Sequence, residues 1–237
     1  MINSADLASR VAVVRERVAK ACERSGRTVG DVTIIPVSKK HSPEAIDTVA
    51  GEGFSVFGES RVPEAESKIP LCSSTLRWHM IGHLQGNKVA RCVRLFDMIH
   101  SVDSEKLLMS INDVCCREGK RVSVLLQLNV SGEATKYGFD PGEAGRALEL
   151  SASLVGVDVM GLMTMAPAVA DPEETRPVFA ALREQRDALR DSTGFPLDAL
   201  SMGMSRDYSI AVEEGATLLR LGTAIFGARG GVGQAKS

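Results

Sequence analysis

No run of apolar residues in this sequence approaches the ~20 needed to cross a bilayer as a helix. The opening residues Met1-Ile2-Asn3-Ser4 lead into an amphipathic pattern and not into the charged-then-apolar layout of a secretory leader. Neither sign of charge is in excess: 28 Lys+Arg against 30 Asp+Glu leave a formal net charge of -2, which argues against nucleic acid or an anionic membrane as the main partner. The five cysteines are odd in number and form no Cys-x-x-Cys pair, and the adjacent Cys115 and Cys116 fall in a helical pattern that suits no disulfide. A reduced, cytoplasmic setting is expected. Of the four histidines, His79 and His83 are four apart, but a predicted strand ending at Gly82 separates them, so they lack the helical metal-ligand spacing and no metal site is expected. No Gly-x-Ser-x-Gly elbow and no protease-like Cys/His arrangement is present. The tail Gly230-Gly231-Val232-Gly233-Gln234-Ala235-Lys236-Ser237 mimics a nucleotide-binding loop, yet has Ala235 where the second glycine is required. It reads as a flexible terminus from about 229.

What the sequence does have is rhythm. Leu7, Val11, Val14, Val18 and Ala21 recur at helical spacing from about 4 to 24, and Ser25-Gly26 then stops the helix. Strand-like runs follow at 32–38, 54–58, 77–82, 95–101, 122–130, 157–163, 197–202 and 217–221. Between them lie helical patterns such as 42–50, 87–93, 103–118, 141–153, 172–191 and 205–214. About eight βα units favour a single (β/α)8 TIM-type barrel with an extra N-terminal helix; a doubly wound sheet is the alternative. At 237 residues, with no Ser/Gly-rich linker, the chain suits one domain spanning 1–237. Pro36 resists the scheme, because it removes an N–H from a strand that a barrel would pair on both sides. A bulge or a long hydrogen bond is expected there.

The first strand, Ile34-Ile35-Pro36-Val37-Ser38-Lys39, ends on a small hydroxyl and a lysine, and Ser42-Pro43-Glu44 then signals a helix start. Lys39 thus falls at the strand end where α/β proteins place their chemistry. Burial there would disfavour the charged ammonium, and a neutral amine is a nucleophile suited to Schiff-base formation. A lysine that merely reaches water fits the same stretch. After the last strand, Arg220-Leu221-Gly222-Thr223-Ala224-Ile225-Phe226-Gly227 opens a short helical turn whose N–H groups make an anion seat. The loop after the seventh strand, Ser201-Met202-Gly203-Met204-Ser205, is rich in small residues, and barrels often hold phosphate between these two loops. A glycine needed only for the turn, and Ser205 as a helix N-cap, are the plainer readings. Lysine plus phosphate seat is what pyridoxal 5′-phosphate requires. Arg220 would then meet the pyridine nitrogen and, unable to give up its proton, leave that nitrogen unprotonated.

Val37-Ser38-Lys39, Phe57-Gly58-Glu59, the stretch from Trp78 to Lys88, Gln127-Leu128-Asn129-Val130, Gly161-Leu162-Met163 and the two loops just described resemble the pyridoxal phosphate homeostasis proteins, which look like the barrel domain of alanine racemase. The resemblance implies Lys39 as the Schiff-base lysine, not Lys40. It also implies a cofactor site of Asn129, Ser201, Met202, Arg220, Gly222 and Thr223, with Ser201, Gly222 and Thr223 toward the phosphate and Arg220 at the pyridine nitrogen. Lys136 matches a second lysine of that family. Ser60-Arg61 stands where the family commonly has Asn-Tyr. The implied role is holding and releasing pyridoxal phosphate in vitamin B6 and amino-acid homeostasis, with no catalytic residues assigned, as a monomer whose partners are the cofactor and recipient apoenzymes. The competing reading is an amino-acid racemase, which needs an acid/base on each face of its substrate. The only tyrosines, Tyr137 and Tyr208, are not clearly aimed at the site.

Overall fold

The computed structural model of the chain describes residues 4–133 and 136–227, so the expected flexible tail lies outside the described residues. Helix α1 (Ser4–Arg24) buries Leu7, Val11, Val14, Val18 and Ala21 along one stripe and packs on the two last helices of the chain. Eight strands follow: β1 (Thr33–Pro36), β2 (Val56–Glu59), β3 (Arg77–Met80), β4 (Met98–Val102), β5 (Val122–Gln127), β6 (Val157–Met163), β7 (Ala199–Ser201) and β8 (Leu218–Leu221). Helices α2 (Pro43–Ala50), α3 (Val62–Lys68), α4 (Val89–Leu95), α5 (Glu105–Glu118), α6 (Ala144–Ser151), α7 (Arg176–Thr193) and α8 (Tyr208–Glu213) alternate with them, and α9 (Thr223–Phe226) follows β8. Neighbouring strands are parallel in the order β1-β8-β7-β6-β5-β4-β3-β2. This is the expected (β/α)8 TIM-type barrel with its N-terminal helix. Helix α3 was absent from the helical patterns, since seven residues with a proline in the first turn are too few to display a period.

The main apolar layer lies between strands and helices, with Ile46 and Val49 of α2, Leu108 and Ile111 of α5 and Leu182 of α7 fully buried. The barrel interior is partly polar: His79, His100, Ser201 and Arg220, from β3, β4, β7 and β8, are all buried.

Pro36 has an effect other than the expected bulge or long bond. Thr33 and Val37 donate their N–H groups toward β8, to Thr217 O (2.7 Å) and Leu221 O (2.9 Å). The even-numbered residues of the strand therefore turn theirs toward β2, and Pro36 has none to offer. Strands β1 and β2 form no ladder; they meet at one bridge, Val37 with Gly58, where the Ser38 N–H donates to Gly58 O (3.0 Å). Charge holds this seam from outside. Lys68 Nζ donates to Ser38 O (2.9 Å), Glu59 Oε1 (2.7 Å) and Glu64 Oε1 (2.8 Å). The Ser38 hydroxyl donates to the same Glu59 oxygen (2.7 Å), and the Lys40 N–H to Glu64.

Candidate functional site

Strand alternation sorts the residues at the end of β1. Val37 and Lys39 line a cavity of about 430 Å³ at the C-terminal mouth of the barrel, while Ser38 between them faces the Lys68 cluster. Lys39 is exposed, so the burial expected to make it reactive is absent. Its side chain makes no hydrogen bond or ion pair with the described residues, which leaves the amine available to a partner in the cavity. Lys40 takes a left-handed turn (φ 65°) away from the cavity lining.

Arg220 comes from β8, which pairs with β1 on the side away from that seam. It reaches the cavity although only 4% exposed. Nη1 donates to Ser201 Oγ (2.5 Å) and Nη2 to Thr164 O (2.9 Å). Burial pulls its pKa down to about 10, partly opposed by the nearby Asp207 charge, so it stays cationic at neutral pH. Ser201 Oγ also meets His100 Nδ1 (2.8 Å), and His100 Nε2 meets His79 Nδ1 (3.0 Å). Desolvation holds His79 down at about 4 and His100 well below the usual imidazole range, so both rings are neutral.

The loops after β7 and β8 converge on the same cavity through Ser205, Gly222 and Thr223. The Ser205 hydroxyl accepts from the Ala224 N–H (3.1 Å) and so ties the two loops together. It is not the N-cap of α8; that position belongs to Asp207, whose Oδ1 accepts from the Met204 N–H (2.6 Å). Burial raises the Asp207 carboxyl, partly offset by that hydrogen bond and by Arg220. The backbone N–H groups of Ser205, Gly222 and Thr223 find no acceptor among the described residues. A Cβ on Gly222 would meet nothing closer than Val37 Cβ at 3.8 Å. Packing within the chain therefore does not demand a glycine there; a side chain would fill the cavity instead. Gly203 is different, because its φ of 88° and a Cβ contact of 2.6 Å with Ala211 make it a requirement of the fold.

Four expected cofactor residues thus share the cavity: Lys39, Arg220, Gly222 and Thr223. Three do not line it. Ser201 is fully buried inside the barrel, with its oxygen bonded to Arg220 and His100. Met202 is fully buried in the apolar core. Asn129 serves the loop after β5, its N–H donating to Phe139 O (3.0 Å) and its amide to Glu133 O (2.9 Å). Lys136 also stays off the lining, its Nζ shared between Glu133 (2.6 Å), Ser131 Oγ (3.3 Å) and Met165 O (3.3 Å).

The sequence reading missed part of the wall. Tyr137 does face the cavity, its ring stacked on His83 at 3.7 Å and 13°, with His83 Nδ1 held by Asp103 (2.9 Å). His41 stacks on Phe226 at 4.1 Å. Ser60, one of the two unusual residues, lines the cavity, whereas Arg61 is the exposed N-cap position of α3. Ser60 was within reach of strand alternation, being two residues beyond Gly58; the stacked pairs had no local signal. No group of three or more His, Cys, Asp or Glu among the described residues could hold a metal, and no described helix is long and apolar enough to cross a membrane.

The family described as alanine racemase, N-terminal domain, matches residues 9–230. The pyridoxal phosphate homeostasis protein of Aquifex aeolicus strain VF5 is 41% identical over 221 residues, 93% of this chain and 97% of its own. A crystal structure of an unknown protein from Bifidobacterium adolescentis superposes with a TM-score of 0.89 at 33% identity, covering 95% of this chain and 98% of that one. PipY of Synechococcus elongatus PCC7942, whose structure has PLP bound, gives a TM-score of 0.82 at 35% identity over 93% of this chain and 100% of its own. With the likeness spanning nearly the full length on both sides, the chain belongs to the alanine racemase N-terminal domain family and, within it, to the pyridoxal phosphate homeostasis proteins.

Proposed function

We propose that this chain binds pyridoxal 5′-phosphate through a reversible Schiff-base link to Lys39 and serves to hold and release the cofactor in vitamin B6 and amino-acid homeostasis. The observation that carries the reading is the convergence of three unlike groups on one cavity: an amine and a cluster of N–H groups that have no partner among the described residues, and a fixed guanidinium. The PLP-bound structure of PipY supports the same ligand. When bound, the cofactor supplies an aldehyde that an amine captures reversibly. The chain's residues then divide the work. Lys39 provides the amine. Ser205, Gly222 and Thr223 offer donors to the phosphate, and Gly222 lets it approach the backbone. Arg220 faces the ring and keeps its own proton. With an obligate donor at the ring nitrogen, the site favours reversible binding over demanding carbanion chemistry.

The test is the absorbance spectrum of purified protein with and without borohydride, followed by peptide mapping of the reduced adduct. A yellow protein whose adduct maps to Lys39, and whose Lys39→Ala variant is folded and colourless, supports the reading. An adduct on Lys40 or Lys136 overturns it.

The racemase reading gains one observation, the Tyr137 ring on the cavity wall. Incubation with L-alanine in deuterated water separates the two. Racemisation at about 10 per second, an ordinary enzymic rate, would favour the enzyme; its absence favours the carrier.

A further inference from the structure

We propose that Ser201 and His100 are positioning residues for the cofactor ring, acting through Arg220, and are not part of the phosphate site; the inference rests on the cofactor reading above. The argument begins with the one group whose hydrogen-bonding role is fixed. A guanidinium only donates, so Ser201 Oγ accepts from Arg220 Nη1 at 2.5 Å. The hydroxyl proton then needs an acceptor, and Ser201 is fully buried, away from bulk solvent. The remaining partner is His100 Nδ1 at 2.8 Å. His100 must present a lone pair there, which places its proton on Nε2, pointing at His79 Nδ1 3.0 Å away. His79 in turn keeps its proton on Nε2. One end of the chain thus dictates the tautomer of both rings.

The direction of this chain has a purpose that a salt bridge would not serve. Among the described residues no carboxylate forms an ion pair with Arg220; the neighbouring Asp207 gives its oxygen to the Met204 N–H. The guanidinium is instead held by neutral oxygens, Ser201 Oγ and Thr164 O. Neutral tethers fix its orientation while leaving its charge for whatever occupies the cavity. A protonated His100 would turn its Nδ1 into a donor, leaving the Ser201 hydroxyl proton without an acceptor and adding a second buried cation. The burial that keeps both imidazoles neutral therefore supports the same arrangement.

Pyridoxal and pyridoxal 5′-phosphate share a ring and differ in the phosphate, so their dissociation constants separate the two possible roles. Each is titrated by absorbance into unmodified protein and into Ser201→Ala, Ser205→Ala, His100→Leu and His100→Asn. Loss of a positioning contact should weaken both ligands by the same factor, about tenfold for Ser201→Ala, and shift the absorbance of the bound chromophore. His100→Leu should behave alike. His100→Asn, whose side-chain oxygen can take the place of Nδ1, should restore much of the affinity and the spectrum. Ser205→Ala should weaken the phosphate form alone. A Ser201→Ala variant that loses affinity only for the phosphate form would make Ser201 a phosphate ligand and overturn the proposal. So would one with unchanged affinity and spectrum. If unmodified protein binds neither compound, the cofactor reading itself falls, and this inference with it.

Discussion

Replacing Lys68 by methionine should cost this protein far more than an ordinary lysine substitution. Lys68 is 6% exposed, and its ammonium donates to three oxygens, those of Ser38, Glu59 and Glu64. Glu59 is fully buried, and its Oε2 already has no partner among the described residues. Its charge is therefore balanced by Lys68 and solvated only by the Ser38 hydroxyl. Deleting one member of a buried pair leaves an uncompensated charge and costs about 3–5 kcal/mol. A protein of this size loses about 2–4 °C of melting midpoint per kcal/mol, so the drop should be about 6–20 °C. Removing the second charge as well, in Lys68→Met/Glu59→Gln, should recover a large part of the loss, because the penalty arises from the unpaired carboxylate. Urea unfolding of the four proteins of this cycle, followed by circular dichroism at pH 7, gives the coupling directly. The reasoning is refuted if Lys68→Met lies within about 0.5 kcal/mol of the parent, the range of a neutral surface change, or if the double variant loses the sum of the singles.

Further outcomes can be checked alongside. Gly222→Val should fold with a melting curve close to the parent's, since its Cβ meets nothing under 3.8 Å, yet take up no cofactor by absorbance titration. Gly203→Ala should be the reverse of neutral, losing about 1–3 kcal/mol in urea unfolding, because it forces a left-handed side chain against Ala211. Stability should also fall in mild acid. His79 has a folded pKa of about 4 against an ordinary 6.5, caused mainly by burial, so the unfolded chain binds the extra proton between those values. That contribution is fully present above pH 6.5 and is lost toward pH 4, reaching about 3 kcal/mol for one such group. Urea midpoints that stay flat from pH 7 to 4.5 in the parent, or that fall no less steeply in His79→Gln, would contradict this.

The strands were legible because each is an apolar run closed by turn residues, and this also located Lys39 and Arg220 at the ends of β1 and β8. Alternation within those strands is a local property. The surroundings of Ser201 are not local. Its partners, His100 and Arg220, lie 101 and 19 positions away, and only barrel closure brings them to its oxygen. Tyr137 was passed over because a loop residue has no periodicity to orient it; its position is set by stacking on His83, 54 residues earlier by sequence number. The apolar flank of Lys39 suggested burial, but a side chain at the open end of a barrel follows the cavity mouth and not the strand beneath it.

The seam beside β1 has a consequence for how the strand carrying Lys39 exchanges with solvent. Seven of the barrel's eight junctions are paired strands, that of β7 and β8 through Ser201 and Leu218 alone, and the eighth is one isolated bridge with a charged clamp behind it. Amides of β1 that point to β8, such as those of Thr33 and Val37, sit within a continuous ladder. The amide of Ile34 points to the open side, and that of Ser38 hangs on a single isolated contact with Gly58. Deuterium should therefore enter this strand in an alternating pattern, every second amide exchanging fast, a zipper with one row of teeth engaged.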